Sequence, residues 1–140
     1  MSASAPNGST NLSGSGKRAG FPRSAHLLRH ADFERVYQQG RRHFATHMTV
    51  FYLRRAQGER LRVGFTVGRV LGGAVERNRM KRRLREAVRQ YWMDASTPAD
   101  VVINPKKSLL KAEFRELLQE VERAFAIIQK KLAVEPQRRS

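Results

Sequence analysis

Residues 77–89 of this 140-residue chain read Arg77-Asn78-Arg79-Met80-Lys81-Arg82-Arg83-Leu84-Arg85-Glu86-Ala87-Val88-Arg89, and seven of the thirteen are lysine or arginine. Across the wider stretch 75–91 an apolar residue still returns at Met80, Leu84, Ala87, Val88 and Tyr91, which is the spacing of one helical face. At roughly 100° per residue that stripe fills one side, while Arg79, Arg82, Arg83, Arg85 and Arg89 point away from it and Lys81 lies on the flank. A solvated helix face normally mixes Glu with Lys so that neighbours four apart attract. Between Arg77 and Arg89 the only acid is Glu86, so the cations repel one another until an anion neutralises them. Arginine rather than lysine also favours bidentate contact with phosphate. The stretch reads as a helix that packs with one side and binds a polyanion with the other.

The charge of the rest of the chain agrees. The formal net charge is +16 and the pI about 11.5, which requires a strongly anionic partner. Residues 1–60 carry 10 basic and 3 acidic groups, 61–92 carry 9 and 2, and 93–140 carry 9 and 7. The basic surface therefore belongs to the first two thirds. There is no cysteine, which excludes disulfides and thiolate chemistry and suits a reducing cytoplasm. Residues 1–24, rich in Ser, Gly and Ala, read as a disordered tail. Residues 25–132 read as a single domain and 133–140 as a flexible end. No apolar run approaches the length of a membrane span, and the single Trp92 at the end of the basic helix is a poor interfacial anchor.

Taken in order, a first helix is predicted from His30 or Ala31 to Gly40, with Asp32 in its first turn and Phe33, Val36 and Tyr37 on its apolar face. Arg41-Arg42-His43 follow the helix stop. Residues 48–53, Met-Thr-Val-Phe-Tyr-Leu, read as a strand that is apolar on both faces. Residues 54–60 read as a turn between antiparallel strands. Leu61, Val63, Phe65 and Val67 alternate with Arg62, Gly64 and Thr66, as in a half-buried strand. Gly68, Gly72 and Gly73 lead into the basic helix. Their spacing matches no phosphate-binding loop, so conformational need explains them better. Residues 100–104 read as a buried strand ended by Pro105. A last helix is predicted over about 111–132, with an apolar stripe at Phe114, Leu117, Leu118, Val121, Phe125 and Ile128 and mixed charges outside it. The order α-β-β-α-β-α predicts an α+β fold, a small sandwich in which helices cover a short, mostly antiparallel sheet.

Protein-borne catalysis finds little support in these residues. His26 and His30 are four apart but have no third ligand nearby, and His43 and His47 add no recognisable site. No nucleophile, base and acid set can be assembled. The carboxylates sit mostly on the last helix, with no acidic cluster to hold a metal. Catalytic residues and metal ligands on this chain are expected to be absent. Asn78, between two arginines, suits either a helix cap or direct contact with the polyanion.

The run Gly73-Ala74-Val75-Glu76-Arg77-Asn78-Arg79-Met80-Lys81-Arg82-Arg83-Leu84-Arg85-Glu86 resembles the arginine-asparagine-arginine signature helix of the protein subunit of bacterial ribonuclease P. Upstream, Asp32-Phe33-Glu34-Arg35-Val36-Tyr37 through Gly40 looks like that family's first helix, and Leu61 to Val67 like the strand before the signature. Residues 100–107 and the last helix fall where the family has its remaining strand and helix, so the resemblance covers about 25–132. It implies a ribosomal protein S5 domain 2-like fold with a left-handed βαβ crossover. It also implies that a large RNA, with bound Mg2+, performs the cleavage, while the protein binds that catalytic RNA and the 5′ leader of precursor tRNA. By position, the resemblance assigns Arg77, Asn78, Arg79, Lys81, Arg82, Arg85 and Arg89 to the catalytic RNA. It assigns Phe33, Tyr37 and Phe51 to a leader cleft, although pattern alone favours the core for Phe33 and leaves Tyr37 open between core and cleft. Where the family often has Ser-Lys-Lys, this chain has Gly68-Arg69-Val70, so Arg69 is the cation that remains for the cleft.

The expected activity is thus removal of the leader to generate the mature tRNA 5′ end, with the catalytic RNA and precursor tRNA as partners and neither a membrane nor a second protein required. The alternatives are a non-catalytic basic RNA-binding module, such as a ribosomal or nucleoid-associated protein, and a nuclease acting alone.

Overall fold

The computed structural model describes residues 29–56, 58, 60–92 and 95–139, with side chains described through residue 133. The tail expected over 1–24, and His26, lie outside the described residues. The elements are α1 (His30–Gln39), β1 (Arg41–Phe44), β2 (Met48–Arg54), β3 (Leu61–Phe65), α2 (Ala74–Tyr91), β4 (Ala99–Pro105) and α3 (Phe114–Arg139), with single 3-10 turns at Arg69–Leu71 and Lys107–Leu110. The four strands form one sheet in the order β1-β2-β4-β3.

Alternation along the strands divides the sheet into two faces. Met48, Val50 and Tyr52 of β2, Leu61 and Val63 of β3, and Val101 and Ile103 of β4 are buried against one another and against the two long helices. From α2 come Met80, Leu84, Ala87 and Val88, the stripe read from the sequence, and from α3 come Leu117, Val121, Phe125 and Ile128. Burying each such side chain contributes roughly 1.5–3 kcal/mol relative to leaving it exposed. Trp92, at the end of α2, donates its indole N–H to Leu61 O at 3.0 Å and so fastens the helix to β3. On the opposite face Val36 and Val102 are buried with Phe33, Phe51 and Leu53 packed around them, and α1 is the cover. The two-sided apolar pattern of β2 thus has two covers, as that pattern demands.

The route between elements differs from expectation in two respects. The connection after Arg54 does not close a hairpin, because β4 lies between β2 and β3, antiparallel to the first and parallel to the second. Local alternation fixes which side chains face in, but it does not say which strand is the neighbour. Arg41–Phe44, outside the expected strands, is a short edge strand paired antiparallel with β2. Its residues are mostly exposed, so it carries no apolar contrast for a pattern to show. Gly40 makes this immediate reversal possible: a Cβ there would meet Tyr52 O at 2.5 Å and Val36 O at 2.6 Å. The last helix runs on through Arg139, past the end expected near 132.

The side of the sheet under α1 also holds a buried charge cluster. Asp100 on β4 is wholly buried and Asp32 on α1 nearly so. The parallel register sets Arg62 beside Asp100, and its guanidinium makes a two-point contact with the carboxylate at 2.8 and 3.0 Å. Arg35 of α1 reaches Asp100 at 2.8 Å and Asp32 at 3.0 Å, and Arg55, just past β2, reaches Asp100 Oδ1 at 3.4 Å and Ala99 O at 3.0 Å. The hydrogen bond to Asp100 holds the Arg62 pKa above its ordinary value, against the opposing effect of burial. One carboxylate therefore ties α1, β3 and the end of β2 to the central strand.

Removing one partner from a buried ionic cluster leaves the others desolvated without compensation. Asp100→Ala is expected to lower the free energy of unfolding by about 3–5 kcal/mol, measured as a fall in the urea midpoint with no change in m.

Candidate nucleic-acid interface

Two surfaces stand out, one on each side of the sheet. The first is the outer side of α2. The helix starts at Ala74 after Gly73, and Gly72 precedes it at φ 139°, a conformation that favours glycine. The Gly73 N–H is already taken by Glu76 Oε1 at 3.0 Å, so this loop offers no open amide cradle there. Asn78, the fifth residue of the helix, is not its cap; it is exposed beside Arg79. Arg79, Arg82 and Arg85, spaced three apart, are all exposed and form a single ridge.

The flanking cations are partly committed. Arg77 is half-buried and donates to Gly72 O at 3.2 Å, and Lys81 is half-buried. Arg89 pairs with Glu86, which removes the one carboxylate of the 77–89 stretch from the ridge. Arg83, expected outside with the other arginines, turns inward. Its guanidinium donates to Leu109 O, Leu110 O and Ala112 O at 2.5, 3.1 and 2.6 Å. It thereby satisfies the carbonyls of the turn before α3, and its role is to hold α2 and α3 together.

The second surface lies between α1 and the sheet. Tyr37 meets Phe51 edge to face, with ring centroids 4.9 Å apart and planes at 89°. Its hydroxyl donates to Asn104 Oδ1 at 3.0 Å and lies 2.7 Å from Thr66 Oγ1. With the phenolic proton given to Asn104, Thr66 supplies the proton of the second bond. The ring is thus held in place while the residue as a whole remains 37% exposed. Phe33 is half-buried against Val36 and Val102 and serves as much in packing as in the cleft wall. Arg69 is exposed on the turn that follows β3, at the sheet edge opposite β1. The structure therefore brings Tyr37, Phe51 and Phe33 together, with Arg69 beyond the end of the neighbouring strand.

Sequence reasoning missed Arg42 and Phe44 at this surface. The Arg42 guanidinium lies over both the Phe44 and the Phe51 rings, 5.8 and 5.9 Å from their centroids, which is cation–π range. The available signal was the alternation of Arg42 and Phe44 on one face of four residues, too short to be read as a strand. On the other side of the β1–β2 turn, His43 and Arg123 border a cavity shared with Glu120. Burial, with the charges of Arg123 and Lys131, lowers the His43 pKa against the pull of Glu120.

Among the described residues no group of three or more His, Cys, Asp or Glu could hold a metal ion. No helix among them is long and apolar enough to cross a membrane. Fold and surface together define a small α+β domain of polyanion-binding character, with an arginine ridge on one side of its sheet and an aromatic cleft on the other.

Comparison with known proteins narrows this class. The family model described as Ribonuclease P matches residues 21–129. The ribonuclease P protein component of Symbiobacterium thermophilum is 44% identical over 93 residues, 66% of this chain and 81% of that protein. The protein component from Citrifermentans bemidjiense is 36% identical over 113 residues, 81% of this chain and 96% of that protein. Among solved structures, the Staphylococcus aureus RNase P protein superposes with a TM-score of 0.65 at 22% identity, covering 74% of this chain and 94% of that one. The Thermotoga maritima RNase P protein gives 0.64 at 22% identity, covering 71% and 94%. The chain belongs to the ribonuclease P protein family.

The lowered His43 pKa has a measurable consequence. Its imidazole is expected to titrate below 6.5 by NMR, with Arg123→Gln moving the midpoint upward. Because the folded pKa lies below the unfolded value, His43's contribution to stability is complete above pH 6.5 and is lost as pH falls through the folded pKa.

Proposed function

We propose that this chain is the protein component of a ribonuclease P ribonucleoprotein and assists endonucleolytic removal of the 5′ leader from precursor tRNA. Membership of the family supports this reading over a ribosomal or nucleoid-associated module. The single observation that carries the mechanism is the exposed ridge of Arg79, Arg82 and Arg85, whose nearest carboxylates, Glu76 and Glu86, are engaged elsewhere. Like charges so placed destabilise an isolated helix. Phosphates of a catalytic RNA relieve that repulsion, with Arg77, Asn78, Lys81 and Arg89 flanking the contact.

The cleft takes the leader. Single-stranded RNA is held by bases stacked on aromatic or guanidinium planes beside a cationic track, and stacking tolerates any base. Tyr37 and Phe51 are set for that role, Phe33 backs them, and Arg69 supplies a cation at the far end. By lowering the repulsion between two polyanions and fixing the leader, the chain positions the scissile bond without contributing an acid, base or nucleophile. Mg2+ belongs with the RNA in this proposal. Among the described residues the two buried carboxylates, Asp32 and Asp100, are both taken by arginines.

Reconstitution tests the reading directly. Precursor tRNA, a candidate catalytic RNA at low magnesium and this protein should give cleavage that neither RNA-free protein nor protein-free RNA matches under the same conditions. Cleavage by RNA-free protein would overturn it. With about six phosphate contacts, affinity for the catalytic RNA should fall by about three decades between ~50 and ~200 mM salt. Replacing both Arg82 and Arg85 by Ala should reduce the log–log salt slope by about 2. Tyr37→Ala and Phe51→Ala should instead lower the preference for leader-bearing over mature tRNA, by about tenfold.

A further inference from the structure

The β1 side of the cleft carries a cation and a ring that the preceding reading leaves unused. Phe44 is 67% exposed, the most exposed aromatic ring among the described residues. It is not an isolated surface ring. The β1–β2 register sets Arg42 opposite Phe51 and Phe44 opposite Thr49 on one face. The Arg42 guanidinium lies 5.8 Å from the Phe44 ring and 5.9 Å from the Phe51 ring. Phe51 in turn meets Tyr37 at 4.9 Å. Phe44, Arg42, Phe51 and Tyr37 thus form one row from the β1 edge to α1, in which planar groups follow one another.

Beyond Phe44 the surface does not end in a flat edge. A cavity of about 330 Å³ opens there, lined by His43, Phe44, Ala45, Thr46, Glu120 and Arg123, and this is a volume at the lower end of small-ligand sites. Its acid is engaged: Glu120 Oε1 accepts the His47 backbone N–H at 3.1 Å. Its arginine is exposed, and the charges of Arg123 and Lys131 both bear on His43 with the sign of a cationic field. A site with an open ring at its mouth and a free-standing guanidinium inside suits a nucleotide, with its base on the ring and its phosphate on the cation.

The geometry points to a track for single-stranded RNA that leaves the cleft over the β1 edge, stacking one base on Phe44 beside Arg42 and setting a phosphate against Arg123 in the cavity. This rests on the reading of the cleft as the leader site and extends it to leader nucleotides farther from the cleavage point. The sheet order supplies the direction. Arg69 and α2 follow β3, the edge opposite β1, so a leader entering from the side of the catalytic RNA passes Tyr37 and Phe51 before it reaches Phe44.

The test uses holoenzyme reconstituted with the catalytic RNA and precursor tRNAs whose leaders are lengthened one nucleotide at a time. With the native protein, affinity should rise in a last, separate step of about tenfold after the step assigned to Tyr37 and Phe51. Phe44→Ala and Arg42→Gln should abolish that last step, Phe44→Trp should keep it, and Arg123→Gln should lower its salt slope by about one. Phe44 is exposed enough for the variant to fold, which thermal unfolding checks independently. Persistence of the last step in Phe44→Ala overturns the inference. So does a loss in Phe44→Ala that falls on binding of the protein to the catalytic RNA alone, since the ring would then serve the RNA subunit. If native affinity ignores the leader altogether, the underlying reading of the cleft fails with it, and the two failures are told apart by the earlier step.

Discussion

The Asp100 carboxylate is the constraint on which the architecture rests. It is wholly buried, and a lone ionised carboxylate in that setting would be prohibitively costly. Arg35, Arg55 and Arg62 therefore converge on it from three separate elements. Each of those elements is placed by satisfying the same charge: α1 lies across the sheet, β3 runs beside β4, and the chain leaving β2 folds back. The cleft between α1 and the strands has its width because the two are tied at this point. A cluster of apolar residues could supply comparable stability, as buried ion pairs often give no net gain over well-packed apolar groups. An ionic tie also fixes direction, since a guanidinium must meet a carboxylate edge to edge.

Charge is sorted by position in the fold. Arginines whose side chains face inward spend their donors on the protein itself: Arg62 and Arg35 on aspartates, and Arg83 on the carbonyls ahead of α3. Those facing outward on α2, namely Arg79, Arg82 and Arg85, are exposed and stand as a ridge. A total of +16 thus overstates the charge available to a ligand on any one face. What matters for binding is the subset left uncommitted after folding. The same sorting separates two kinds of surface, a cationic one on α2 and an aromatic one under α1.

Much of this was legible in the sequence because it repeats with a period. The stripe of Met80, Leu84, Ala87 and Val88 and the alternation of Leu61 and Val63 appear in the structure where periodicity put them. The first helix ends at Gln39, one residue before the predicted glycine. Periodicity says nothing about partners distant in the chain, and here it reached its limit. Arg35 and Asp100 are 65 positions apart, so their union shows only once strands are paired. The insertion of β4 between β2 and β3 is hidden for the same reason. The four residues of β1 were too few and too polar to register. Arg83, three residues after Met80 and four before Ala87, lies at the border of the apolar stripe, and the carbonyls ahead of α3 decide that it turns inward. Within the cleft, Tyr37 and Phe51 follow from resemblance to a family, whereas Arg42 and Phe44 join them only through the pairing of β1 with β2.

The central position of β4 has a consequence for how the chain acquires its structure. β2 and β3 precede β4 in sequence yet share no hydrogen-bonded border, so neither can be completed by the other. Until residues 99–105 arrive, the sheet lacks its middle and Arg62 lacks Asp100. During synthesis the whole arginine-rich segment therefore emerges before the scaffold that will orient it exists. Such dependence on non-local pairing slows folding and leaves a strongly cationic nascent chain exposed in the meantime. Nucleic acid encountered at that stage would meet a flexible polycation, and the ridge and the cleft take their places only when the last strand closes the sheet.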